Sequence, residues 1–275
     1  MIPAPFEYRR VGTVDEAIRA LSDSSDAKLL AGGHSLLPLM RVRLARPSLL
    51  VDISRLQDLK YVKEDGDRVA IGALTRHHDV ANSEVLQELC PIVSYAAGEI
   101  GDPQVRHVGT IGGSVAHADP ASDMPTVLVA LGAEMEVRGP KGVRNVGAGD
   151  FFKGLFEPDL ATNEVLTEIR VPKTVGRGWS YLKFHRRAQD WALVGVATLA
   201  QNGAGPSVAL TNMADRPVRA TGVEEELAGG ADPAAASERA AEGTSPPTDA
   251  FASAEYRRAV VKVLVRRALE EARSR

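Results

Sequence analysis

The chain has 275 residues, 44% of them hydrophobic, and sets 33 Lys and Arg against 36 Asp and Glu for a net charge of -3. A protein of that length buries roughly three quarters of its unfolded surface, so a substantial core is expected. The near-balanced charge offers nothing to nucleic acid or to an anionic membrane. The single cysteine, Cys90, excludes internal disulfides, a four-cysteine zinc site and an iron–sulfur cluster held by this chain alone. Redox chemistry here therefore requires an organic cofactor. Cys90 itself precedes Pro91 in an apolar stretch and reads as a buried, inert thiol. No run approaches the ~20 apolar residues of a membrane span. Residues 1–8 lack the basic-then-apolar pattern of a secretion signal, so a cytoplasmic protein is expected.

In chain order, Thr13 with Glu16 three residues on forms a capping box. The helix it opens has Ala17, Ile18 and Leu21 on its apolar face. Residues 28–31 and 48–53 read as short strands, making a βαβ-like unit. Residues 61–63 and 68–72 flank Asp65-Gly66, the signature of a hairpin. Residues 75–81 and 85–98 read as helices, the second broken near Pro91, and residues 124–131 as another. Residues 133–138 alternate at period two, as a half-buried strand does, and 164–172 form a strand closed by Pro172. Residues 179–184, 191–199 and 208–212 are strand-like, with a turn at Asn202-Gly203. Short helices and a loop around Ser245-Pro246-Pro247 are expected over 223–253. A last helix covers 254–271 with Tyr256, Val260, Val263, Leu264 and Ala268 on one face. There are no internal repeats, and the order predicts an α+β fold in three parts.

Two glycine-centred segments carry the strongest chemical signal, Ala31-Gly32-Gly33-His34-Ser35 and Thr110-Ile111-Gly112-Gly113-Ser114. Each is read as leaving a strand. Glycine turns with φ > 0 and brings backbone N–H groups close to a ligand. Successive N–H groups facing one concavity make a nest for an anion such as phosphate. One such turn is ordinarily just a tight turn; two, each followed by Ser, tilt the reading toward clasping both phosphates of a dinucleotide. Neither segment matches G-x-G-x-x-G or G-x-x-x-x-G-K-[ST], which disfavours a nicotinamide Rossmann site and a nucleoside triphosphatase.

His34 is expected to contribute its backbone N–H while its ring packs nearby. His77, His78, His107, His117 and His185 lack metal-ligand spacing, so no metal site is expected. Asp119, Ser122 and Asp123 follow the second segment. A carboxylate there could accept hydrogen bonds from ribose hydroxyls, or Ser122 and Asp123 could cap the next helix, and both can hold at once. No Ser-His-Asp or Cys-His arrangement stands out, and no catalytic side chain is expected. The basic residues 183–187 and the Arg-rich last helix read as a surface face or a protein interface.

The run from Ala31 to Pro38, the run from Thr110 to Asp123, the stretch 181–197 with Lys183 and Asp190-Trp191-Ala192, and the closing Tyr256-Arg257 and Arg266-Arg267-Ala268-Leu269 occur in an order that closely resembles one family. It is that of the FAD-binding medium subunits of molybdenum hydroxylases (the xanthine dehydrogenase family), above all those of the carbon monoxide dehydrogenase type. The resemblance covers essentially the whole chain. It implies a vanillyl-alcohol-oxidase (PCMH)-type FAD-binding fold. Subdomains 1–56 and 57–176 would enclose FAD, followed by a carbon monoxide dehydrogenase flavoprotein-like C-terminal domain, 177–275.

By that similarity, backbone amides at Ala31, Gly32, Gly33, His34, Ser35 and Leu36, and at Thr110, Gly112, Gly113 and Ser114, hold the pyrophosphate. Asp123 binds a ribose, and Lys183 lies near the flavin or adenine end. The resemblance further implies a large molybdenum-cofactor subunit that oxidises the substrate and a small subunit whose [2Fe-2S] clusters relay electrons. FAD on this chain then hands them to an external acceptor such as a quinone. A dimer of heterotrimers is implied, with room for peripheral association at the inner face of the membrane. The flavin subunit of a related heterocycle or aldehyde dehydrogenase, a self-sufficient FAD oxidoreductase and a non-enzymatic dinucleotide-binding module are the alternatives. The self-sufficient enzyme needs its own substrate pocket, proton donor and long insertion, none of which the sequence shows.

Overall fold

The computed structural model describes residues 2–200 and 205–275, so the turn expected at Asn202-Gly203 lies outside the described residues. Strands β1 (Glu7–Arg10), β2 (Lys28–Leu30) and β3 (Leu49–Asp52) form a parallel sheet with β3 in the middle, linked through helices α1 (Val14–Ser22) and α2 (Leu36–Arg41). Thr13 caps α1 as expected, accepting from Glu16 N at 3.2 Å. Glu16 reaches back to Gly12 N at 2.7 Å, one residue before the cap. Strand β1 carried no sequence signal because all four of its residues are exposed. Only its ladder with β3 makes it a strand.

The expected hairpin is β4 (Val62–Asp65) and β5 (Arg68–Gly72), with Gly66 turning at φ +60°. A helical run follows: α3 (His77–Ala81), α4 (Glu84–Leu89), α5 (Pro91–Gly98), α6 (Pro103–Val108), α7 (Ile111–His117) and α8 (Asp123–Leu131). Then come β6 (Glu134–Gly139), β7 (Gly142–Gly147), α9 (Ala148–Phe151), a small hairpin of β8 (Phe152–Gly154) and β9 (Glu157–Pro158), and β10 (Val165–Pro172). Strand β10 returns between β5 and β6, giving the antiparallel order β4-β5-β10-β6-β7. The C-terminal part is an antiparallel sheet, β11 (Trp179–Phe184), β12 (Val194–Leu199), β13 (Ser207–Thr211) and β14 (Val218–Arg219). Helices α10 (Thr221–Ala228), α11 (Pro233–Ser237) and α12 (Ala254–Ser274) complete it. Trp191, expected in a strand, instead lies exposed in the β11–β12 loop.

That last sheet is packed on both faces, and period two sorts its side chains. Tyr181, Ala197, Leu199 and Ala209 join the large core that contains α8. Val194, Val196, Val208 and Leu210 join the core that contains the apolar residues of α12. All nine residues of α8 are buried. The buried residues of α12 are Arg257, Val261, Leu264, Val265, Ala268, Leu269 and Ala272, which rotates the expected face. Tyr256 and Val263 are exposed, and a cation takes the inward place.

The Arg257 guanidinium is fully buried. It donates to Leu193 O and, at 2.6 Å, to the Asp249 carboxylate. Together with the buried Lys183, it shows that the basic C-terminal residues do not all belong to a solvated face. Replacing Arg257 with Ala should lower the free energy of unfolding by about 3 kcal/mol, since it opens a cavity and strands the Leu193 carbonyl. Urea titration measures this, and a loss within about 0.5 kcal/mol, the scale of an ordinary surface change, contradicts the role.

Candidate functional site

Strand β2 delivers the chain to Ala31, Gly33 turns it at φ +73°, and α2 begins at Leu36. Among the described residues, no acceptor within the chain takes the N–H groups of Gly32, Gly33, His34 or Ser35. His34 and Ser35 are exposed, and the residues before them partly so. His34 also lies close enough to His77 to act on that ring electrostatically. A Cβ on Gly33 would lie 2.9 Å from Leu37 Cδ1, and one on Gly32 only 2.3 Å from the carbonyl oxygen of Val108. The first glycine segment thus rests directly on Val108-Gly109, the residues leading into the second.

The second segment is built differently. It follows a helix, α6, not a strand, and it opens another, α7. Ile111 N donates to Thr75 O at 3.0 Å and Gly112 N to Ala73 O at 2.9 Å. Gly113 N donates to Thr110 Oγ1 at 3.2 Å and Ser114 N to Thr110 O at 3.1 Å. The amides of residues 111–114 are thus engaged, which corrects the expectation of a second open nest. Gly112 is needed for contact, since its Cβ would come within 2.5 Å of Ala73 Cβ. A Cβ on Gly113 would meet the capping hydroxyl of Thr110 at 2.8 Å. Thr110 and Gly112 are buried, and what this segment presents to solvent is the exposed Gly113 and the half-buried Ser114.

His77 sits beneath both segments. Its N–H donates to Gly109 O at 3.0 Å, and its ring lies 3.2 Å from where a Gly109 Cβ would stand. Burial, with the neighbouring charges of Arg106 and His34 acting the same way, pulls its pKa down to about 4. The ring is neutral at ordinary pH. Cys90 is buried as expected, and burial pushes its thiol up to about 12.

Asp123 begins α8. The Tyr181 hydroxyl donates to its Oδ1 at 2.5 Å, and Lys183 Nζ donates to its Oδ2 at 3.0 Å and to Glu99 O at 3.1 Å. The Asp123 and Lys183 side chains are 7% and 3% exposed, which makes this a buried ion pair. Burial raises the Asp123 carboxyl above the usual carboxylate range, opposed by Lys183 and the Tyr181 hydrogen bond. Burial and the Asp123 charge together raise the Tyr181 phenol well above its ordinary value. Ser122 stands at the cap position of α8 without a side-chain cap bond, and Asp119 accepts from Ala121 N at 2.9 Å within its own turn.

Two family models match the chain in succession: "FAD binding domain in molybdopterin dehydrogenase" over residues 4–174, and "CO dehydrogenase flavoprotein C-terminal domain" over 179–272. The chain belongs to the FAD-binding subunits of the molybdopterin dehydrogenases. It is 41% identical to the carbon monoxide dehydrogenase medium chain of Hydrogenophaga pseudoflava, covering 100% of this chain and 99% of that one. It is 40% identical to the glyceraldehyde dehydrogenase medium chain of Sulfolobus acidocaldarius, covering 98% and 99%. The solved carbon monoxide dehydrogenase from Hydrogenophaga pseudoflava, in a form lacking the Mo-pyranopterin moiety of the molybdenum cofactor, matches with a TM-score of 0.95 at 42% identity, covering 100% and 99%. Quinoline 2-oxidoreductase from Pseudomonas putida 86 matches with a TM-score of 0.92 at 32% identity, again over 100% and 99%. These relatives include medium chains of multi-subunit enzymes.

For an FAD subunit the first segment is well suited, with open amides at glycines where a Cβ would intrude. Contact between the glycine segments brings together most of the residues that the sequence marks. Asp123 and Lys183 bond to each other, not to either segment. Sequence reasoning missed Tyr181 as their third member. Its signal was available, since Tyr181 and Lys183 are two apart on one strand and therefore share a face. Ser180, one residue before Tyr181, points the other way, and its hydroxyl donates to Glu271 on α12 at 2.8 Å.

His77 should leave a mark on stability. Between pH 6.5 and 4 the unfolded chain binds a proton at this ring that the folded chain does not, so stability rises with pH across that window. Its contribution is fully present above pH 6.5 and is lost on acidification, by up to about 3 kcal/mol at pH 4. Urea titrations of the wild type and His77→Leu across that range should show the slope flattened in the variant. Parallel curves would mean that the ring titrates normally.

Proposed function

We propose that this chain is the FAD-binding electron-transfer subunit of a molybdenum hydroxylase of the carbon monoxide dehydrogenase type. The observation that carries the site is the loop of open amides from Gly32 to Ser35, pressed against the approach to Thr110. FAD bound there would supply the redox chemistry, taking electrons from the [2Fe-2S] clusters of a small subunit and passing them to an acceptor such as a quinone. The amides of residues 31–36 face the pyrophosphate, where each charge-assisted hydrogen bond is stronger than a neutral one. The Ser114 hydroxyl adds to that grip and Gly113 keeps the approach clear, while Thr110 caps the helix and Gly112 seats it on Ala73. Asp123, with two acceptor positions occupied out of about four, keeps capacity for a ribose hydroxyl, and Lys183 fixes its orientation. No side chain is assigned a proton-transfer role, since relaying electrons requires none.

The single cysteine rules out a cluster held by this chain alone, which supports the reading that the clusters sit on a partner. We assign the partners as a large molybdenum-cofactor subunit and a small iron–sulfur subunit, assembled as a dimer of heterotrimers. The assembly is cytoplasmic, with room for peripheral association at the inner face of the membrane through the complex. Among the described residues, no helix is long and apolar enough to cross a membrane. Residues 1–56 and 57–176 act as the two FAD-binding subdomains and 177–275 as the C-terminal domain. A second reading, an aldehyde dehydrogenase complex, is supported by the nearly equal similarity to the glyceraldehyde dehydrogenase chain.

The complex purified with its natural partners should show a flavin spectrum and release FAD, and should oxidise carbon monoxide in preference to glyceraldehyde. The reverse preference selects the second reading. Replacing Gly33 with Val puts a branched side chain at φ +73° against Leu37 and Leu30. The variant should fold, by far-ultraviolet circular dichroism, and contain no FAD. Stoichiometric flavin in it would refute the amide nest.

A further inference from the structure

Among the described residues, the non-glycine residues with positive φ are Arg43, Ala118, Phe156 and Asn212. Three of the four converge on one short strap, residues 118–120, between α7 and α8. Phe156 N donates to Ala118 O at 3.3 Å, and Asn212 N donates to Pro120 O at 2.8 Å. The Phe156 ring lies 5.0 Å from that of His117, at the end of α7. Left-handed backbone persists at non-glycine residues only where the surroundings over-determine it, and such residues cluster at ligand clamps.

Asn212 does more than close one side of the strap. It is 9% exposed, and its Nδ2 donates to Ala192 O at 2.8 Å in the β11–β12 loop. One residue thus joins two segments that, among the described residues, no other hydrogen bond ties directly. The strap leads from the second glycine segment to Asp123, and the loop follows the strand that carries Lys183 and Tyr181. The neighbouring Thr211 hydroxyl bonds Thr126 on α8 at 2.7 Å, so the end of β13 is stitched to α8 and its approach at successive residues. The residue type fits the task. Asn accepts φ +59° more readily than most residues, and its amide can donate to a carbonyl. Gly accepts the backbone without the donor, and an ionised Asp only accepts.

We propose that Asn212 is a positioning residue for the cofactor site. By holding strap 118–120 and the Ala192 turn at a fixed separation, it sets Asp123 against Lys183 and Tyr181 in the geometry that receives the cofactor. This rests on the site reading given under Proposed function. The full-length chain is titrated with FAD as wild type, Asn212→Asp, Asn212→Gly and Gly33→Val. Affinity, the visible circular dichroism of bound flavin and far-ultraviolet circular dichroism are recorded for each. Asn212→Asp and Asn212→Gly should keep the far-ultraviolet spectrum, bind FAD roughly tenfold more weakly and change the visible dichroism. The Asp variant should be no better than the Gly variant, because neither donates to Ala192. If the Asp variant unfolds, the Gly variant, which accepts the backbone angle freely, decides. Wild-type affinity and dichroism in the folded Asn212 variants, with FAD lost from Gly33→Val, overturns the positioning role alone. Normal FAD binding by Gly33→Val overturns the site reading beneath it.

Discussion

A helix with no solvent-facing residue constrains the rest of this structure. Helix α8 touches the five-stranded sheet through β10, the C-terminal sheet through β12 and β13, and helices α5 and α7. Its apolar surface belongs to the central and C-terminal parts of the chain at once, so separating them would expose it to water, at roughly 25 cal/mol for each Å² of apolar surface. Polar ties follow the same seam. Thr211 bonds Thr126, the Ser207 hydroxyl donates to Ala130 O at 2.6 Å, and Asp123 at the head of the helix takes Tyr181 and Lys183. A buried ion pair is weak evidence for stability, because desolvation offsets its attraction. Its contribution here is better understood as register: the carboxylate can be satisfied in only one placement of β11 against α8.

The two glycine segments show how one sequence pattern serves two physical ends. At Gly32 and Gly33 the missing side chains allow a left-handed turn and close approach to Val108, and the local amides stay open. At Gly112 and Gly113 the missing side chains allow a helix start to wedge against Ala73 and keep the Thr110 cap, and the local amides are engaged. The contact between Gly32 and Val108 brings the two segments together as one candidate site. His77 beneath them is neutral, and a buried neutral ring adds no fixed charge to that site.

Much of the fold was legible. The Thr13 cap, the Asp65-Gly66 hairpin and the alternation in 133–138 declared their elements, because each depends on neighbours close in sequence. Strand β1 was not legible, since its exposed Glu-Tyr-Arg-Arg has no period and gains its form from β3. The inward face of α12 was misjudged because Arg257 is held inside by a hydrogen bond to Leu193, 64 residues away. Composition treats such an arginine as a surface residue.

The sequence by itself determined the chemistry that this chain cannot do and the residues that could hold a cofactor. One cysteine excludes a cluster, and paired glycines beside small hydroxyl residues mark where a backbone can approach a ligand. Only the tertiary structure decided which amides are free, which charges are buried and which segments meet. Hydrogen-bond satisfaction and burial depend on partners remote in the chain: Ala73 for Gly112, Glu99 for Lys183, Pro120 and Ala192 for Asn212. A local pattern shows what a residue can do, and its packing neighbours select which of those roles it takes.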